Sequence, residues 1–161
     1  MAALERILVP VDLSACSMRA LNYALWLAGE HGAQLDVLYV WHSSVAATPS
    51  PFRTDAISFG EAALDYNIGE ARLELETFLS GIETDRKPMR RADVVEGGPL
   101  DAILERAKSG AYDLIVMGTH GRTGLARVTL GSVAERVVRQ APCPVLTVGG
   151  SNAEKEWEKK K

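Results

Sequence analysis

Residues 7–40 read ILVPVDLSACSMRALNYALWLAGEHGAQLDVLYV, and this stretch decides the architecture. Ile7 to Val11 and Leu35 to Val40 are short, nearly continuous runs of Val, Ile and Leu, the pattern of strands covered on both faces. Between them Met18, Leu21, Leu25 and Ala28 recur at intervals of three and four, so Ser14 to His31 is predicted to be an amphipathic helix. Ser14 is suited to cap its start and Gly32 to close its end. Two doubly covered strands joined by one helix make a parallel strand–helix–strand unit, and the rest of the chain extends it.

After Val40 comes a linker of about twenty residues, Trp41 to Gly60, holding Pro49 and Pro51, a length usual for functional or mobile loops. Leu64, Ile68, Ala71, Leu75 and Phe78 then define a second helix ending at Gly81. Met89 to Glu96 carries Arg90, Arg91, Asp93 and Glu96 and reads as an edge strand protected by charge. Gly97-Gly98-Pro99 turns the chain into a third helix, with Pro99 in its first position and Gly110 at its end. Asp113 to Met117 is a fourth strand, Ser132 to Gln140 a fourth helix, and Pro144 to Val148 a short fifth strand. The alternation predicts one α/β domain over residues 1–150, with an open parallel sheet and right-handed crossovers. Residues 151–161 form a tail with seven charges in eleven positions, read as frayed.

Composition sets the bounds. The chain has 161 residues, 47% of them apolar and 24% charged, which excludes wholesale disorder and low-complexity architectures. A formal charge of -3 is too balanced for a nucleic-acid binder working through a basic face. Val37 to Phe52 is the longest stretch free of Asp, Glu, Lys and Arg, and its 16 residues are too few to span a bilayer. The start, Met-Ala-Ala-Leu-Glu-Arg, has no basic region followed by an apolar signal core, so a cytoplasmic protein is expected. Cys16 and Cys143 lack CxxC spacing and a neighbouring His cluster, so they are expected to be thiols rather than zinc ligands or a disulfide.

In an open parallel sheet, ligands bind beyond the carboxyl ends of the strands, where strand order reverses. The first strand ends Pro10-Val11-Asp12. The fourth runs into Gly118-Thr119-His120-Gly121-Arg122-Thr123-Gly124, and the fourth helix opens at Gly131-Ser132. A phosphate needs converging backbone N–H donors with no Cβ in the way, and a helix N-terminus adds oriented dipoles. This loop has both, and Arg122 and Arg127 could add charge-assisted contacts or serve as surface charges. The pattern Gly-x2-Gly-x9-Gly-[Ser/Thr] should arise by chance in roughly one chain of this length per hundred. Neither GxxxxGK[ST] nor GxGxxG occurs, so a P-loop NTPase and a dinucleotide Rossmann enzyme are not supported.

Pro10-Val11-Asp12, Val40 at the end of the second strand, and Gly118-x2-Gly121-x9-Gly131-Ser132 resemble the ATP-binding class of the universal stress protein family. The likeness covers residues 4–149. It implies a five-stranded sheet in order 3-2-1-4-5 with helices on both faces, as in adenine nucleotide alpha hydrolase-like folds, and ATP between the first and fourth strands. It further implies that Asp12 and the backbones of Val11 and Val40 hold the adenine and ribose, and that Met117 and Gly118 line the ribose. Gly121, Gly131, Ser132 and Val133 would meet the triphosphate, with Mg²⁺ or Mn²⁺ bridging phosphate oxygens.

Other readings compete at single residues. Asp12 could cap the first helix, although Ser14 is better placed. Ser132-x-x-Glu135 fits a capping box, which would explain the serine without a ligand. His120 could be catalytic or simply solvated, and Cys16 near a helix start could be reactive or packed. At the level of function, the leading expectation is a nucleotide-dependent switch or sensor in a stress response. The rivals are an interaction module of the same fold that binds no nucleotide, and a slow ATPase or autophosphorylating protein. The apolar fifth strand, Pro144 to Val148, lies at an edge and predicts a homodimer pairing these edges.

Overall fold

The computed structural model describes residues 3–41, 56–82, 85–119 and 130–149, with 56–67 described by their backbone. Five parallel strands and four helices alternate along it: β1 (Arg6–Val11), α1 (Ala15–His31), β2 (Gln34–Trp41), α2 (Ala56–Ser80), β3 (Met89–Glu96), α3 (Pro99–Ser109), β4 (Leu114–Gly118), α4 (Ser132–Gln140) and β5 (Val145–Val148). The sheet order is β3-β2-β1-β4-β5, as the resemblance implied. The chain winds outward from β1 through β2 to β3, then returns past β1 to lay down β4 and β5. Strand order therefore reverses between β1 and β4.

Alternation along the strands divides the core into two layers. Ile7, Val9, Val11, Leu35, Val37 and Tyr39 face α1 and α2, where they pack with Leu21, Leu25, Ala28, Ala71 and Leu75. Leu8, Leu38, Ile115 and Met117 face α3 and α4, meeting Leu100, Ile103, Leu104 and Val137. A period of two feeding both layers is why the central strands read as unbroken apolar runs.

The local signals act as expected at most element ends. Ser14 caps α1 by accepting from the Ser17 N–H, and Gly32, at φ 69°, closes the helix in the left-handed conformation. Pro99 opens α3, and Gly110 follows its last residue. The linker is shorter than the expected Trp41 to Gly60. Trp41 still belongs to β2 and Ala56 already belongs to α2. Asp55, directly before Ala56, is a residue type suited to cap such a start, so the earlier boundary has a signal in the sequence that the apolar repeat beginning at Leu64 does not use. The tail 151–161 lies outside the described residues.

One buried polar group stands out in the second layer. Asp36, 2% exposed, lies inside the apolar run of β2. Its carboxylate accepts from Arg90 and Arg91 of β3 and, at 2.5 Å, from the Tyr112 hydroxyl. Arg6 of β1 stands 3.6 Å away. Two consecutive arginines reach one carboxylate because the β2–β3 register slips between Leu35 and Asp36, leaving Arg90 as an extra residue. The charges of β3 thus lie on an edge strand, as expected, and two of them also tie that edge inward.

Candidate functional site

The carboxyl ends of β1 and β4 do not stay paired. Between these strands the register covers Ile7 with Leu114 and Leu8 with Ile115, whereas β1 stays aligned with β2 up to Val11 and Tyr39. Pro10 supplies a chemical reason. Proline has no N–H to donate, so a buried strand containing one cannot continue a full ladder on both sides. The β1–β4 ladder is interrupted beyond Leu8 and Ile115, and the interruption lies at the reversal of strand order.

On the β1 side the chain makes a constrained turn into α1. Leu13 has φ 65°, a left-handed conformation that L-residues with a side chain rarely adopt. Asp12 Oδ1 accepts from the Ser14 N–H at 3.1 Å and from the Ser14 hydroxyl at 2.6 Å. Asp12 therefore organises the turn, and Ser14 rather than Asp12 is the helix cap. The capping alternative for Asp12 is set aside by this division of labour.

On the β4 side, Gly118 has a packing reason to be glycine. A Cβ there would stand 2.9 Å from Cys16 Sγ and 3.2 Å from the Cys16 carbonyl carbon, because the start of α1 crosses directly over it. Cys16 is buried, with its Sγ 3.5 Å from the Val148 carbonyl oxygen and 4.0 Å from Thr119 Oγ1. Thr119 is held on two sides: its N–H donates to Val148 and its carbonyl accepts from the Gly131 N–H at 2.7 Å. The two ends of the glycine-rich loop are thereby tied together.

α4 begins on that tie. Gly131 is its N-cap residue, and no side chain caps it. The capping box that the Ser132-x-x-Glu135 spacing allows does not form. Ser132 occupies the first helical position rather than the cap, and Glu135 pairs with Arg139 at 2.9 Å instead of reaching back. The first helical bond runs from the Glu135 N–H to the Gly131 carbonyl. The N–H groups of Ser132, Val133 and Ala134 therefore have no intrahelical acceptor, and their partial positive charge suits an anion.

The structure thus brings Pro10, Val11, Asp12, Met117, Gly118, Gly131, Ser132 and Val133 to one end of the sheet, on β1, β4 and α4 and their flanks. Val40 lies one residue before the end of neighbouring β2. Gly121, Arg122 and Arg127, together with His120, lie outside the described residues. The interruption of the β1–β4 ladder at Pro10 is not among the sequence expectations, although a proline inside an otherwise central strand is the available signal. A cavity of about 490 Å³ lined by Arg72, Leu75, Glu76, Leu79, Asp93 and Arg106 lies elsewhere, at the β3 edge, and carries none of these residues.

Residues 3–149 match the model of the universal stress protein family. A universal stress protein of Methanocaldococcus jannaschii is 34% identical over 144 residues, covering 89% of this chain and 81% of its own length. Among solved structures, the universal stress protein UspA from Lactobacillus plantarum is 30% identical with a TM-score of 0.71, covering 92% of this chain and 99% of that one. A universal stress protein solved in complex with cAMP is 26% identical with a TM-score of 0.56, covering 91% and 98%.

Proposed function

This chain belongs to the universal stress protein family, and from that premise we propose that it binds ATP across the carboxyl ends of β1 and β4 and works as a nucleotide-dependent switch in the cytoplasm. The observation that carries this reading is the uncapped start of α4, whose Ser132, Val133 and Ala134 N–H groups lack intrahelical acceptors at the reversal of strand order. The relative in complex with cAMP supports an adenine nucleotide as the ligand class. In this reading Asp12 and the backbones of Val11 and Val40 hold the adenosine end, with Met117 and Gly118 beneath the ribose. Gly131, Ser132 and Val133 take the phosphates, joined by Gly121, Arg122 and Arg127 of the loop. The Ser132 hydroxyl, which is not the helix cap, would be the side-chain oxygen on α4 to hold Mg²⁺ or Mn²⁺ bound with the nucleotide, and the ion would neutralise phosphate charge.

Denaturing the purified protein and analysing the released small molecules by mass spectrometry is the direct test, followed by titration with ATP and Mg²⁺. Wild type is expected to release or bind ATP, and Gly121→Ala to bind it less tightly. Absence of ATP and of any ATP titration signal would instead favour an interaction module without nucleotide.

The same proposal includes a homodimer. β5 is the outer strand next to β4, and all four of its residues, Val145 to Val148, remain half-buried with one edge unpaired in the sheet. Pairing two such edges removes the exposed ladder. Light scattering is expected to return twice the mass of one chain; a stable monomer at micromolar concentration would refute this part.

A further inference from the structure

We propose that Ser14 is a positioning residue for nucleotide recognition, acting by fixing the orientation of the Asp12 carboxylate. The inference rests on the reading above that Asp12 meets the adenosine end of the ligand.

The turn contains more hydrogen bonds than helix capping needs. Ser17 Oγ donates to the Ser14 carbonyl at 3.0 Å, and the Ser17 N–H donates to Ser14 Oγ at 3.2 Å. These two bonds account for the cap. The single proton of the Ser14 hydroxyl then has two acceptors within reach, Ser17 Oγ at 3.5 Å and Asp12 Oδ1 at 2.6 Å. The shorter bond, to a carboxylate, is the stronger, and its length is that of a charge-assisted O–H···O⁻ bond. Ser14 therefore accepts from the helix and donates to Asp12 at once.

The backbone adds the second constraint. Ser14 N–H also donates to Asp12 Oδ1, and the intervening Leu13 is held at φ 65°. Residues kept in such sparsely populated conformations persist when their surroundings over-determine them, and they cluster at ligand sites. Here the surroundings are two bonds to one oxygen of Asp12 and the packing of Leu13 against the α1 layer. With Oδ1 fixed by two donors, the plane of the carboxylate is set, and so is the direction of Oδ2. A preset acceptor favours a ligand hydroxyl over a phosphate. The geometry therefore predicts that Ser14 contributes to selection of a ribose diol, through Asp12 and without touching the ligand.

The test separates this role from capping. Glycine at an N-cap costs a helix far less than alanine does, so Ser14→Gly removes the hydroxyl with little loss of fold. Ser14→Thr restores it. ATP and 2′-deoxy-ATP, each with Mg²⁺, are titrated into wild type, both variants, Asp12→Ala and the Asp12→Ala/Ser14→Gly double variant, with thermal unfolding run alongside. Ser14→Gly is expected to lose roughly three- to tenfold in ATP affinity, the span of one hydrogen bond. It should lose less for 2′-deoxy-ATP, Ser14→Thr should recover the loss, and the double variant should bind no more weakly than Asp12→Ala alone. Wild-type affinity in Ser14→Gly alongside weakened Asp12→Ala would overturn the proposal, as would additive losses in the double variant. Unchanged binding by Asp12→Ala would instead remove the role given to Asp12 itself, and no binding by wild type would remove the nucleotide reading as a whole.

Discussion

Asp36→Ala is expected to lower the stability of the folded protein by about 3 kcal/mol, at the low end of what breaking a buried ion pair costs. The low end applies because Arg6, Arg90 and Arg91 keep 31–41% of their side-chain surface exposed and can recover water. The Tyr112 hydroxyl cannot do so, since Tyr112 is 5% exposed and gives its proton to Asp36. In a protein of this size the loss corresponds to a fall of roughly 6–12 °C in the thermal midpoint. An unchanged midpoint in urea or on heating would show that the carboxylate ties nothing together.

The same group predicts an acid dependence. Burial pushes the Asp36 carboxyl up, but bonds from Arg90 and Tyr112 and the charges of Arg90 and Arg91 outweigh it and hold the group below its usual value of 3.8. A carboxylate depressed in the folded state stabilises it fully above the unfolded value. That contribution is lost as pH falls through the folded one. Wild type should therefore lose stability below about pH 4 more steeply than Asp36→Ala, and the two curves should approach each other in acid.

Ser132→Asp should produce the largest change in ligand binding, with the opposite sign for the fold. A carboxylate at the first position of α4 meets the positive end of the helix dipole, and stability should hold or rise by a few tenths of a kcal/mol. A nucleotide phosphate in the same place would meet like charge. At about 4 Å and an effective dielectric of about 20 the repulsion is near 4 kcal/mol, and partial relaxation leaves an expected loss of about a hundredfold in ATP affinity. Loss of fold cannot explain that result if the midpoint is retained. Unaltered ATP affinity would place the phosphates away from α4 and leave its start as an ordinary helix end.

The fold was legible because its signals are local. Apolar runs, three-and-four spacing, Ser14, Gly32 and Pro99 each act within a few residues, and each does in the structure what its chemistry suggests. Strand order is not local, and it came from the likeness of Pro10-Val11-Asp12 and the glycine pattern to a family. Asp36 escaped notice for the same reason: within β2 it looks like an interruption in an apolar run, and its partners Arg90, Arg91 and Tyr112 lie far along the chain. Gly118 has a second reason to be glycine that its motif does not reveal: the crossing of Cys16, far away in the chain, forbids a side chain there. Ser132 and Glu135 have capping-box spacing, yet α4 starts one residue earlier than that spacing requires, with Gly131 in the cap position.

The position of β1 has a consequence for the order of events during synthesis. Leu8 pairs with Asp36 on one side and with Ile115 on the other, so one neighbour of β1 is made early and the other late. The β1–α1–β2 unit, with the Asp12 turn already in it, can form on the emerging chain, since short-range pairings form at the least entropic cost. The site proposed beside β1 has no second wall until β4 and α4 have left the ribosome. Under the proposed nucleotide reading, a nascent chain halted before Leu114 would thus carry the Asp12 turn but neither β4 nor α4.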